Sequence, residues 1–331
     1  MNRRMRLLTL VAGAALLAGC TAGGGVDNGN ADNAGDNGNT AGNQSGIKVA
    51  VVSHGAAGDK FWDVVKSGAE QAGKDIGANV TYQGSGDPNQ QSQLIDTAVS
   101  QKVDGIVVSM ANPDALKEAI GKAVAAGIPV ITINSGAEKS KQFGAITHVG
   151  QTESVAGEAA GERMKGEGAT KLICVIHEAG NVGLEDRCAG AKRTFGAQVE
   201  NLQVNVSDLN AAGSTIAAKL QSDTSVNGVL TLNNGVALAA VQAIDTAGRT
   251  DVKLGTFDLD AQVLDAIKSD KITFAIDQQP YLQGYLPVVF LSLFKSNANT
   301  VGGGQPVLTG PGFVDKENAD QVAEFAGKGT R

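Results

Sequence analysis

"IKVAVVSHGAAGDKFWDVVKSGAEQAGKDIGANVTYQG", residues 47–84, decides the fold. A Val-rich run from Ile47 to Ser53 leads into a glycine-bearing turn, then into a helical pattern from Lys60 to Ile76. A second short run, "NVTYQG", closes the unit. An unbroken apolar run that alternates with helices indicates a parallel sheet covered on both faces. The turn holds His54 and Asp59 and sets Phe61 beside Trp62, the sole tryptophan of a chain that is only 4% aromatic.

The same unit recurs along the chain. "PNQQSQLIDTAVSQK" places Leu94, Ile95, Ala98 and Val99 on one helical face, and "DGIVVS" (104–109) leads into a helix with the stripe Leu116, Ala119, Ile120, Ala123 and Val124. "IPVITIN" (128–134) ends a first series. A second series then predicts helices over 152–165, 184–195, 211–221, 236–247 and 261–268, with strands "KLICVIH", "LQVNV", "NGVLTLN", "VKLGTFD" and "KITFAID". Two βα series of similar size predict an α/β protein with two similar Rossmann-like lobes. Sequence similarity between the series is too weak to read as a repeat.

Polar residues gather where each strand gives way to a helix: Ser53 and His54, Ser109, Asn134 and Ser135, His177 and Glu178, Asn233 and Asn234, Asp258, and Asp277 to Gln279. In open parallel sheets this carboxyl edge binds ligands, so two such edges facing each other predict a cleft. Its Asp, Asn, Gln, Ser and His side chains suit a neutral polyhydroxylated molecule, whose hydroxyls both donate and accept. Phe61 and Trp62 offer ring faces to its C–H groups, or alternatively both pack the first helix onto the sheet. Asn134, Asn233 and Asp258 also fit helix caps, His54 a backbone-bonded turn residue, and Glu185 a solvated helix start favoured by the dipole.

The chain begins differently. Arg3, Arg4 and Arg6 precede the short apolar run "LLTLVAGAALLAGC", which reads as a secretory signal over residues 1–19 and is too short to span a membrane. Leu17-Ala18-Gly19-Cys20 resembles the bacterial lipobox, which implies lipidation of Cys20 and anchoring at a membrane surface. Residues 21–46, "TAGGGVDNGNADNAGDNGNTAGNQSG", are too polar to fold and read as a tether between the lipid and the fold. Loss of the three arginines takes the formal charge from −7 to −10, which argues against nucleic acid as a partner. Outside the cytoplasm, Cys174 and Cys188 remain to form a disulfide, or alternatively stand as two small core residues.

From Val49 to about Phe294 the sequence resembles ribose- and galactose-type periplasmic binding proteins, the soluble receptors of bacterial sugar ABC transporters. The resemblance rests on "DKFWDVVKSGAEQAGKDIGANV", "DPNQQSQLIDTAVSQKVDGIVVS", "AVAAGIPVITINSG", "TLNNGVALAAVQAIDTAGRTDVKLGTFD" and "ITFAIDQQPYLQGYL". It implies the periplasmic binding protein-like I fold, its lobes joined by a three-strand hinge near Val149, Gln279 and Thr309. The N-terminal lobe would comprise 47–148 and 279–308, the C-terminal lobe 150–277 and 309–331. The implied ligand contacts are Asp59, Phe61 and Trp62, then Asn134 and Ser135, then Asn233, Phe257, Asp258 and Gln278. Ser135 stands where such proteins often carry arginine. In "GLEDRCAG" Glu185 takes the place of a contact arginine, with Arg187 two residues on. The pocket thus loses positive charge, which argues against ribose itself and against acidic sugars.

The implied partners are a monosaccharide or sugar alcohol and an ABC transporter permease, with no cofactor or metal and a monomeric receptor on the outer face of the cell membrane or in the periplasm. Enzyme motifs are missing: no G-x-S-x-G, P-loop or H-E-x-x-H occurs, and "GSGDPN" (84–89) lacks the third glycine of a dinucleotide fingerprint. The alternative output is a receptor that passes a sugar-like signal to a membrane kinase or chemoreceptor.

Overall fold

The computed structural model describes residues 46–56 and 58–331. The signal segment, Cys20 and the tether up to Ser45 lie outside the described residues.

The first sheet contains β1 (Lys48–Ser53), β2 (Asn79–Gly84), β3 (Gly105–Ser109), β4 (Val130–Ile133) and β5 (Thr147–Gly150). The second contains β6 (Leu172–Ile176), β7 (Val199–Gln203), β8 (Gly228–Thr231), β9 (Lys253–Phe257) and β10 (Phe274–Asp277). β11 (Val307–Leu308) and β12 (Gly312–Val314) complete them, giving the orders β11-β5-β4-β3-β1-β2 and β12-β10-β9-β8-β6-β7. The two orders match strand for strand, a likeness that the sequences of the two series conceal. All pairings are parallel except β12 on β10, which is antiparallel. That departure follows from connectivity: β12 arrives on a short crossing from β11 rather than through a helix.

The helices are α1 (Lys60–Ile76), α2 (Pro88–Ser100), α3 (Pro113–Ala125), the short α4 (Ala137–Ser140), α5 (Glu153–Gly166), α6 (Val182–Phe195), α7 (Leu209–Ser222), α8 (Asn234–Ala247), α9 (Ala261–Lys268), α10 (Pro280–Asn297) and α11 (Ala319–Gly327). They divide the core into four layers, two per sheet. One layer packs α2 and α3 through Ile95, Leu116 and Ile120, and another packs α1 and α10 through Val65, Val288 and Leu291. α10 lies so close to α1 that a Cβ on Gly284 would stand 1.9 Å from the Val65 carbonyl oxygen. Only glycine fits there.

β7 begins three residues earlier than the apolar run "LQVNV" predicts. As an edge strand it pairs Val199–Gln203 with Leu172–Ile176. Val204 is buried in the helical layer beyond it, with Val206 packed against that layer, so the apolar signal marked the exit from the strand. Among the described residues, no helix is long and apolar enough to cross a membrane.

Three crossings join the sheets, after β5, after β10 and between β11 and β12, and hydrogen bonds tie them together. Thr309 N donates to the Gly150 carbonyl (2.6 Å), Thr309 Oγ1 to the Gln278 carbonyl (2.7 Å), and Gln279 Nε2 to the Thr309 carbonyl (2.7 Å).

Candidate ligand cleft

Matching strand tips place matching residues at the interface of the lobes. His54 follows β1 and His177 follows β6; Asn134 follows β4 and Asp258 follows β9; Gln278 follows β10. Helix starts supply the rest. Asp59 caps α1 by accepting from Phe61 N (3.0 Å), Asn181 caps α6 by accepting from Gly183 N (3.0 Å), and Asn233 caps α8 by accepting from Gly235 N (2.8 Å). Asn134 and Asp258 are not caps: Gly136 precedes α4, and Asp260 caps α9 through Val263 N. Both instead adopt left-handed backbone, with φ of 59° and 71°. That conformation costs a non-glycine residue on the order of 1–3 kcal/mol and collects at functional sites. Asn and Asp tolerate it best.

The lobes meet through these side chains. Ser135 Oγ donates to Asn181 Oδ1 (3.2 Å), Asn134 Nδ2 to Gln278 Oε1 (3.1 Å), and Asn233 Nδ2 to Asp59 Oδ2 (3.5 Å). His54 Nε2 lies 3.5 Å from Asn181 Nδ2 and 3.8 Å from Glu178 Oε2. A backbone bond joins them too, from Val182 N to the Ala111 carbonyl at 3.0 Å.

Arg187 is the buried cation of the site. Its Nε donates to Glu153 Oε2 (2.5 Å) and its Nη2 to Glu153 Oε1 (3.1 Å), while its guanidinium carbon stands 4.5 Å from the Phe257 ring centroid. This leaves its charge matched by one carboxylate, and Asp59, Glu178 and Asp258 without a cation of their own. Burial pushes Asp258 up to about 7 against the opposing pull of Arg187 and of the Gln278 amide, which donates to it at 2.6 Å. Burial likewise pushes Asp59 up to about 6. Glu178 goes the other way: burial opposes its charge, but His54, His177, the Asn181 amide and Arg187 together lower its pKa. Burial lowers His54, and takes His177 down to about 4, so both rings are neutral at pH 7.

Phe61 and Trp62 are both packed in the apolar layer and both line the cleft. Trp62 meets the His54 ring edge-on at 4.7 Å and the Phe61 ring at 5.0 Å. His54, Asp59, Asn134, Arg187, Asn233, Asp258 and Gln278 stand in the same lining. Ser135 and Phe257 sit just behind it, the first bonded to Asn134 and Asn181, the second beneath Arg187. Glu185 departs from expectation. It is exposed on α6, because the inward face of that helix runs through Leu184, Arg187, Cys188 and Ala191. Arg187 occupies the inward position instead.

His177, Glu178 and Asn181 complete the wall without having been singled out as contacts. Asn181 was legible as a cap before an apolar helix face, the same place that Asp59 holds before α1. Cys174 and Cys188 are bonded, tying β6 to α6 at the residue after Arg187. Among the described residues, no group of three or more His, Cys, Asp or Glu is placed to hold a metal ion. A larger recess, about 760 Å³, lies outside the cleft between α7, α8 and the start of α1 and shares only Asp59 and Asn233 with it. It lacks the convergent buried acids and rings, so the cleft is the candidate site.

The family model described as the periplasmic binding protein domain matches residues 49–293. The chain belongs to that family. A carbohydrate transporter from Acidothermus cellulolyticus 11B, solved in complex with myo-inositol, is 44% identical, with a TM-score of 0.84 over 86% of this chain and 99% of that one. A D-apiose import binding protein from Actinobacillus succinogenes is 27% identical over 85% of this chain and 91% of its own length. The ribose import binding protein of Bacillus subtilis is 26% identical over 73% and 78%. The names of these relatives speak of carbohydrate transport and of sugar import.

Proposed function

We propose that the cleft closes on one neutral ring polyol, with myo-inositol as first choice, and that the closed protein delivers it to an ABC transporter permease. The observation that carries this reading is the placing of three acids without a matching cation, Asp59, Glu178 and Asp258, around one chamber with Trp62. Burial leaves the Asp59 and Asp258 charges poorly solvated, and hydroxyls donated by a polyol would supply that solvation. A cyclitol has a hydroxyl to donate from every ring carbon, whereas a pyranose presents a ring oxygen that only accepts. The amides of Asn134, Asn233 and Gln278 both donate and accept. An anionic sugar would meet net negative charge, since Glu153 already occupies Arg187.

The 44%-identical relative solved with myo-inositol supports the choice, and pentoses such as apiose and ribose are the smaller members of the same ligand class. Lobe closure is a hinge motion about the three crossings, driven by contacts made only when both lobes engage the ligand. Lipidation at Cys20 would keep the receptor at the outer membrane surface beside the permease.

A thermal-shift panel of inositols, pentoses, hexoses, amino sugars and uronates tests the reading. The preferred polyol should stabilise the protein by about 2.7 kcal/mol at a hundredfold excess over Kd. Trp62→Ala and Asp258→Ala should each remove most of that gain. Parent-like responses from both variants, or no response to any polyol, would overturn it.

A further inference from the structure

We infer that His177 reads one hydroxyl of the ligand and is a specificity-determining contact of the cleft, an inference that rests on the polyol reading above. Among the described residues three buried side-chain polar atoms lack a hydrogen-bond partner: His148 Nε2, Gln151 Oε1 and His177 Nδ1. The first two lie behind the strand tips, where added Cβ atoms on Gly150 and Gly310 would meet them at 2.7 and 3.0 Å. His177 alone of the three lines the cleft. The residue as a whole is only 6% exposed.

A buried polar atom without a partner carries its full desolvation penalty, and native structures keep few of them. At the tip of β6, on the wall of a chamber built for hydroxyls, the missing partner is a ligand group. Burial keeps the ring neutral, so one nitrogen donates and the other accepts. The neighbouring Glu178, held ionised, only accepts, and Asn181 Nδ2 already donates to it at 2.6 Å. Adjacent imidazole and carboxylate therefore match two neighbouring hydroxyls: one donates to Glu178, the other exchanges a hydrogen bond with His177. His54, at the equivalent tip of β1, differs in that both its ring nitrogens have protein partners, Nδ1 with Ser109 Oγ at 2.8 Å and Nε2 with Asn181 Nδ2 at 3.5 Å.

The test uses whichever polyol gives the parent protein its largest thermal shift, together with its series of monodeoxy analogues, all titrated by calorimetry. Identification of a pentose instead of a cyclitol at the first step would overturn the inositol choice and leave the comparison on His177 readable. His177→Leu should weaken the full polyol roughly ten- to hundredfold. One monodeoxy analogue should bind parent and variant equally, since both then lack the same bond. His177→Gln, which can still donate and accept, should recover part of the affinity and serves if the leucine variant fails to fold. Parent-like affinity in both variants would overturn the inference. So would an equal loss across every analogue, the mark of a purely structural role.

Discussion

At the residue scale the cleft is organised by side chains that the backbone holds in costly positions. Asn134 and Asp258 take left-handed φ at equivalent strand tips, and Asp258 is pushed up to about 7 by burial, against Arg187, with Asp59 and Glu153 adding to the rise. A carboxyl whose folded pKa lies above its unfolded value binds more protons when folded, so its contribution to stability falls as pH rises from about 4 to about 7. Asp258→Asn removes that penalty. Without ligand, the variant should match the parent near pH 4 and gain a few degrees in Tm by pH 8, while binding of polyol is lost. A constant difference in Tm across this range would refute the burial argument.

The sequence exposed Asp258, Asn233 and Asn134 because strand tips can be read from apolar runs. It misassigned Glu185 because two residues of shift within a helix, about 200°, exchange the inner for the outer face. Only the packed face of α6 reveals which residue points inward. Glu178 and His177 stood among the strand-tip residues, but the approach of Glu178 to His54, at 3.8 Å, comes across from the opposite lobe, at a separation that no local pattern encodes.

At the scale of elements, α6 links stability to the site. It carries Arg187 and Cys188 in succession, and its disulfide to β6 closes a short loop that contains His177, Glu178 and Asn181. Closing about fifteen residues is worth roughly 3 kcal/mol in the chain-entropy account. Replacing both cysteines by alanine should therefore lower unfolding stability by about 3 kcal/mol in urea titrations, and reductant should have no further effect on the variant. An unchanged midpoint would show that the α5–α6 packing holds α6 unaided. The cysteine pairing was open in the sequence because two thiols fit either a bond or a core. The element boundaries, by contrast, were largely legible: α1 and α9 coincide with their apolar periodicity, while the polar edge strand β7 starts three residues before its apolar run and β10 three residues after the start of "KITFAID".

At the scale of the whole molecule, two sheets of identical order face each other across three bonded crossings, and Gln278 stands where everything converges. Its Oε1 accepts from Asn134 of the first lobe, from Gln283 at 3.2 Å and from Arg187 of the second at 3.4 Å, while its Nε2 donates to Asp258. One amide thus couples the hinge to both walls of the cleft, and truncating it leaves several buried partners unpaired. The sole tryptophan reports the consequence, since Trp62 lies in the cleft against His54. Ligand-driven closure should shift its emission. In Gln278→Leu the shift should require at least tenfold more polyol and small-angle scattering should show less compaction at equal ligand, although Asp59 and Trp62 of the cleft lining are untouched. A variant that closes at parental concentrations would place the coupling elsewhere in the hinge and reduce Gln278 to packing.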